Sequence, residues 1–168
     1  MPSLFYSVMA CVIFLFSINV NADPIVNKNS NKCLGVNSAS TVDGTSVSQY
    51  ECSGESHQDW VEVPVTGGFL LQASHSGQCL DVYGRSTATG AGLIQWPCHG
   101  GDNQIFNWVG ETLQVSHSNK CVAIESDSTA SGAKVLQSDC NGSNAQKFSN
   151  AVVVNEFTMC SDASSSLS

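Results

Sequence analysis

The stretch CLDVYGRSTATGAGLIQWPCHGGDNQIF, residues 79–106, decides how the whole chain is built. Cys79 and Cys98 stand 19 residues apart, Gln104 follows six residues after the second, and Phe106 comes two later. The same frame recurs upstream as Cys33, Cys52, Gln58 and Trp60, and downstream as Cys121, Cys140, Gln146 and Phe148. A Ser-led turn precedes each first cysteine: SNK, SGQ and SNK again. The repeat periods are 46 and 42 residues, so length differences fall between the units and not inside them. Spacing and residue type that agree three times mark an internal repeat, whose units are expected to stack on one another.

Within each unit the apolar residues alternate. Cys79-Leu80-Asp81-Val82 and Leu93-Ile94-Gln95-Trp96 read as short strands, and Phe69–Gln72, Thr112–Val115 and Pro24–Asn27 open the three units. Four strands per unit predict twelve in all, with Gly and Ser in the turns. No window holds a 3.6-residue period, which excludes a helical domain. Pairing within units (Cys33–Cys52, Cys79–Cys98 and Cys121–Cys140) closes loops of about 20 residues, each stabilising by roughly 3 kcal/mol in the chain-entropy model. One unit alone is too small to bury a core, so the three must share one.

The rest of the chain sets the context. Residues 1–22 carry no charged side chain and an apolar run from Val8 to Phe16, and end Val20-Asn21-Ala22 before Asp23. They read as a secretory signal peptide, since the run is shorter than the roughly 20 residues of a spanning helix. Residues 23–150 are the repeat domain, with units at about 23–66, 67–110 and 111–150; residues 151–168 are a C-terminal tail. A secreted, extracellular location favours disulfides. The formal net charge of −8 makes nucleic acid and anionic lipid poor partners.

The threefold frame, with Cys-x-Asp-Val in one copy and Gln-x-Trp/Phe in all, resembles the ricin-B-type lectins over residues 24–150. The resemblance implies an all-β fold, a β-trefoil: a six-stranded barrel capped by three hairpins with pseudo-threefold symmetry. It also implies a carbohydrate-binding protein that recognises terminal galactose or N-acetylgalactosamine.

The three copies differ where a sugar would touch. Two residues after the first cysteine stand Gly35, Asp81 and Ala123; two before the second stand Tyr50, Trp96 and Ser138; just before the motif glutamine stand His57, Asn103 and Ala145. The middle copy combines a carboxylate, a large aromatic and an amide. An indole can cover the C–H face of a pyranose, a carboxylate can accept two charge-assisted hydroxyl bonds, and an amide both donates and accepts. Alternation from Leu93 and Gln95 points Trp96 outward. Carried over from the family, Asp81 binds two hydroxyls, Trp96 stacks, Asn103 binds a third hydroxyl and His99 touches the sugar. Gln104 either braces Asp81 or reaches the ligand; its persistence as Gln58 and Gln146 makes its main role structural. Ile94 departs from the glutamine that many members carry there. The run Cys98–Gln104 is most similar to the lectin modules of N-acetylgalactosaminyltransferases, which favours N-acetylgalactosamine. One good site is expected, in the second repeat.

Other chemistry finds little support. His57, His75, His99 and His117 show no metal-ligand spacing, and neither Gly-x-Ser-x-Gly nor His-Glu-x-x-His occurs. No catalysis, cofactor or metal is expected. Asn141-Gly142-Ser143 is a glycosylation sequon. Cys160 has no partner by spacing and is either free or the link of a homodimer. The competing functions are a β-trefoil protease inhibitor and a glycan-targeting subunit of a toxin or glycosidase.

Overall fold

Twelve short strands, four from each repeat, account for the regular structure of the computed structural model, which describes residues 22–150. The first repeat supplies β1 (Asp23–Asn27), β2 (Cys33–Val36), β3 (Val47–Tyr50) and β4 (Asp59–Val65); the second β5 (Gly68–Ala73), β6 (Cys79–Val82), β7 (Leu93–Trp96) and β8 (Phe106–Val109); the third β9 (Thr112–Val115), β10 (Cys121–Ile124), β11 (Val135–Ser138) and β12 (Phe148–Asn150). The expected signal peptide up to Asn21 and the tail with Cys160 lie outside the described residues.

The first and last strands of each repeat form the ring. β1 pairs β12 and β4, β4 pairs β5, β5 pairs β8, and β8 pairs β9. The bridge between Thr112 and Lys147 joins β9 to the end of the third repeat and closes the six-stranded barrel. The middle strands form three hairpins, β2–β3, β6–β7 and β10–β11, each hung from its barrel strand by one pair: Val26–Cys33, Gln72–Cys79 and Gln114–Cys121. The hairpins meet through bridges Ser46–Ile94, Ser48–Lys134 and Gly92–Leu136. This is the β-trefoil that the family resemblance implies, with the twelve strands that the repeats predict. The disulfides pair as expected within units, Cys33–Cys52, Cys79–Cys98 and Cys121–Cys140.

One core serves all three repeats, as the size of a unit requires. Equivalent residues fill equivalent places: Ile25, Leu71 and Leu113 from the barrel, Leu34, Leu80 and Val122 from the hairpins, and Trp60, Phe106 and Phe148 after the motif glutamines. Burying each such side chain stabilises by about 1.5–3 kcal/mol. Trp60 also donates its indole N–H to the Leu34 carbonyl at 3.0 Å, which satisfies the one polar atom that the larger ring brings inside.

A second set of glutamines fastens the repeats to each other. Gln49, Gln95 and Gln137 are fully buried. Gln95 donates its amide to the carbonyls of Ser40 and Val42 in the first repeat. Gln137 does the same to Ser86 and Ala88 in the second, and Gln49 to Ser128 and Ala130 in the third. Each repeat therefore ties down the hairpin tip of the one before it, around a closed cycle. Buried amides left without partners would be costly, so these bonds hold the hairpins in fixed register.

Candidate carbohydrate site

The second repeat forms a cavity of about 330 Å³ on the outer face of the β6–β7 hairpin. Asp81 and Ile94 are register partners on β6 and β7, so both side chains lie on that face. Trp96 lies two residues beyond Ile94 on the same face, and 41% of it is exposed. His99 and Asn103 come from the loop that the Cys79–Cys98 disulfide anchors. Asp102–Gln104 makes one 3₁₀ turn there, which turns Asn103 and Gln104 inward.

Asp81 is buried, with only 4% exposure, at the floor of the cavity. Gln104 Nε2 donates to Asp81 Oδ2 at 2.9 Å and to the Pro97 carbonyl at 3.1 Å, while its Oε1 accepts the backbone N–H of His99 and Gly100. The Gln104 amide is thus fully occupied and buried. It braces Asp81, the first of the two roles open to it, and presents nothing to a ligand. His99 Nδ1 accepts the Gly101 N–H at 3.0 Å, so in the neutral ring Nε2 carries the proton and faces Asp81 Oδ2 at 3.4 Å. Burial pushes the Asp81 carboxyl above its ordinary pKa of 3.8; the Gln104 and Asn103 amides and the His99 ring pull it part of the way back.

Asn103 is 1% exposed, and its Oδ1 has no partner within the chain. A buried acceptor of this kind costs free energy unless a donor reaches it. Every sequence-predicted residue except Gln104 lines the same cavity. The first and third repeats assemble no such set. In the first, a Cβ on Gly35 would lie 3.0 Å from Gln58 Cγ and 3.3 Å from His57 Cδ2, so a longer side chain has no room; Tyr50 donates its hydroxyl to Asn37. The third offers Ala123 and Ala145, both buried and apolar.

The structure adds residues that the sequence comparison passed over. Tyr83 and Arg85 line the cavity, and Arg85 pairs with Asp102 at 2.8 Å across its rim. Their signal was present: the equivalent positions are Asn37 and Ala39, and Glu125 and Asp127. Gly44 comes from the first repeat. Its φ of 81° suits glycine, and a Cβ there would meet the Trp96 ring at 3.5 Å, so the neighbouring hairpin backs the indole and leaves it half exposed. Among the described residues no three His, Cys, Asp or Glu side chains gather as a metal site.

The family model described as "Ricin-type beta-trefoil lectin domain" matches residues 67–168, and "Ricin-type beta-trefoil lectin domain-like" matches residues 16–96. The designed threefold-symmetric protein ThreeFoil is 38% identical, with a TM-score of 0.76 over 78% of this chain and 98% of its own. An exo-β-1,3-galactanase from Clostridium thermocellum is 30% identical, with a TM-score of 0.75 over 81% of this chain but only 31% of the galactanase. The C-half of an earthworm R-type lectin, solved with GalNAc, shares the fold at 14% identity and a TM-score of 0.65, over 76% of this chain and 95% of that one. No curated protein sequence matches the chain significantly.

Proposed function

Since the chain belongs to the ricin-type β-trefoil lectin family, a family of carbohydrate-binding domains, we propose that its second repeat holds a terminal galactose or N-acetylgalactosamine and that the protein acts as a secreted, non-enzymatic lectin. The observation that carries this reading is one cavity lined by a buried carboxylate, a half-exposed indole and an amide oxygen without a partner. A galacto-configured ring suits that set. Its axial 4-hydroxyl leaves the C–H bonds at positions 3, 4 and 5 on one face, free to lie on Trp96. Its 3- and 4-hydroxyls are cis, within reach of one carboxylate, and a further hydroxyl satisfies Asn103 Oδ1. The likeness to a galactanase over a stretch of 30% identity supports galactose as the recognised sugar. In this reading residues 1–22 are a cleaved leader, residues 23–150 the lectin domain and residues 151–168 a tail.

Calorimetric titration of the exported chain with galactose, N-acetylgalactosamine and glucose tests the proposal, and its intact mass reports whether residues 1–22 are gone. The galacto sugars are expected to bind and glucose to bind more weakly. Asp81→Ala removes two charge-assisted bonds worth about 1.5–3 kcal/mol each, a loss of a hundredfold or more, with the circular dichroism unchanged. Equal affinity for glucose and galactose, or an Asp81→Ala protein that binds like wild type, would sink it.

A further inference from the structure

A second cavity of about 330 Å³ opens where the three hairpins meet, and it shares two walls, Tyr83 and Ile94, with the cavity over Asp81. Resting on the reading of that first site, we propose that the second cavity seats the next ring of the glycan, so that the protein recognises a neutral oligosaccharide in preference to a single sugar.

Three observations carry this. The first is continuity: Tyr83 is 66% exposed and faces both cavities, so a chain leaving the ring on Trp96 can pass over its phenol into the second space. The second is Gly92, which lines the second cavity between hairpins. Its φ is not in the left-handed region and a Cβ would meet nothing within 4 Å, so neither backbone conformation nor packing asks for glycine. The equivalent residues, Ser46 and Lys134, both carry side chains. A glycine that costs conformational entropy and is not sterically required keeps the passage open. The third is chemistry. Ile94 and Leu136 give an apolar floor suited to a second C–H face, Ser46 gives a hydroxyl, and Glu125 and Lys134 place opposite charges on one rim, which favours an uncharged hexose over a sulfated or carboxylated one.

The test compares methyl β-galactoside with β-1,3- and β-1,4-linked galactobiose by titration calorimetry. At least one disaccharide is expected to bind wild type tenfold or more tightly than the methyl glycoside. Gly92→Phe fills the second cavity from its own hairpin and Leu136→Trp from the opposite one. Each is expected to abolish the disaccharide advantage while holding methyl galactoside affinity within twofold, which also shows that the variant is folded. Disaccharides no tighter than the methyl glycoside, or an advantage that survives both fillings, would overturn the proposal. A wild type that binds none of these sugars would instead overturn the reading of the first site.

Discussion

Gln104 and Gln146 occupy equivalent places in the second and third repeats and clip the same loop: the oxygen of each accepts a backbone N–H after the second cysteine, from His99 and from Asn141. Their amide groups also reach the same kind of carbonyl, Pro97 in one repeat and Asp139 in the other. They part over the strand beside them. Gln104 has Asp81 to hold, whereas the third repeat places Ala123 there. The frame is thus one device used three times, and the site is a set of substitutions laid over one copy of it. The first repeat teaches the converse. Its glutamine is clipped in the same way, to Ser53 and Glu51, but His57 and Gln58 crowd Gly35, where the second repeat carries Asp81.

The sharpest way to break this comparison is by pH, because the middle repeat has a buried carboxylate at this position and the others do not. Burial raises the Asp81 pKa above 3.8, and sugar binding needs the ionised form. Affinity is expected to fall about tenfold per pH unit once the pH drops below that raised value, by one-proton linkage. Folding stability moves the other way: a carboxyl with a raised folded pKa contributes most below its unfolded value, and that contribution is lost as pH rises through the folded one. The sugar-free protein therefore gains nothing from Asp81 ionisation. Titrations from pH 7 to below pH 3.8 check this, with His99→Gln as a control that keeps the acid limb. A flat affinity profile would deny the carboxylate its role.

A second, smaller effect separates a crowded position from one with small neighbours. Gly35→Asp forces a side chain against Gln58 Cγ and His57, and is expected to destabilise by about 1–3 kcal/mol through overpacking. Ala123→Asp, beside the small Ala145, is expected to cost less. Urea denaturation of both variants measures the difference. Equal losses would mean that Gly35 is no more crowded than Ala123.

The frame was legible because a disulfide spacing, a strand alternation and a motif glutamine each leave a local mark, and three copies of that mark confirm one another. Twelve strands and the three cystine pairs follow from it. Alternation alone places Trp96 outward. What escaped the sequence are the contacts made between repeats. Gly44 reads as a hairpin glycine like Gly90 and Gly132, and nothing nearby shows that it backs an indole in the next repeat. Gln49, Gln95 and Gln137 recur three residues before each second cysteine, yet which hairpin each one binds depends on how the units pack around the axis. Tyr83 is a further case: its counterparts Asn37 and Glu125 share no side-chain type with it, and only the packing of the hairpins sets it between two cavities.

The smallest effect sharpens the division between frame and site. Gln104→Ala and Gln146→Ala each leave loop N–H groups without their acceptor, and each is expected to lose about 1–2 kcal/mol of stability. Sugar binding divides them. Gln146 touches no group of the cavity, so its loss leaves affinity unchanged. Gln104→Ala removes the donor that fixes Asp81 Oδ2, and with it the first of the bonds that hold the carboxyl's pKa down. Affinity at neutral pH is expected to weaken several-fold, and the acid limb of binding to begin at higher pH. The shift of that limb is the decisive readout, because a glutamine that only stabilised the loop would lower the unfolding midpoint and leave the limb where it is.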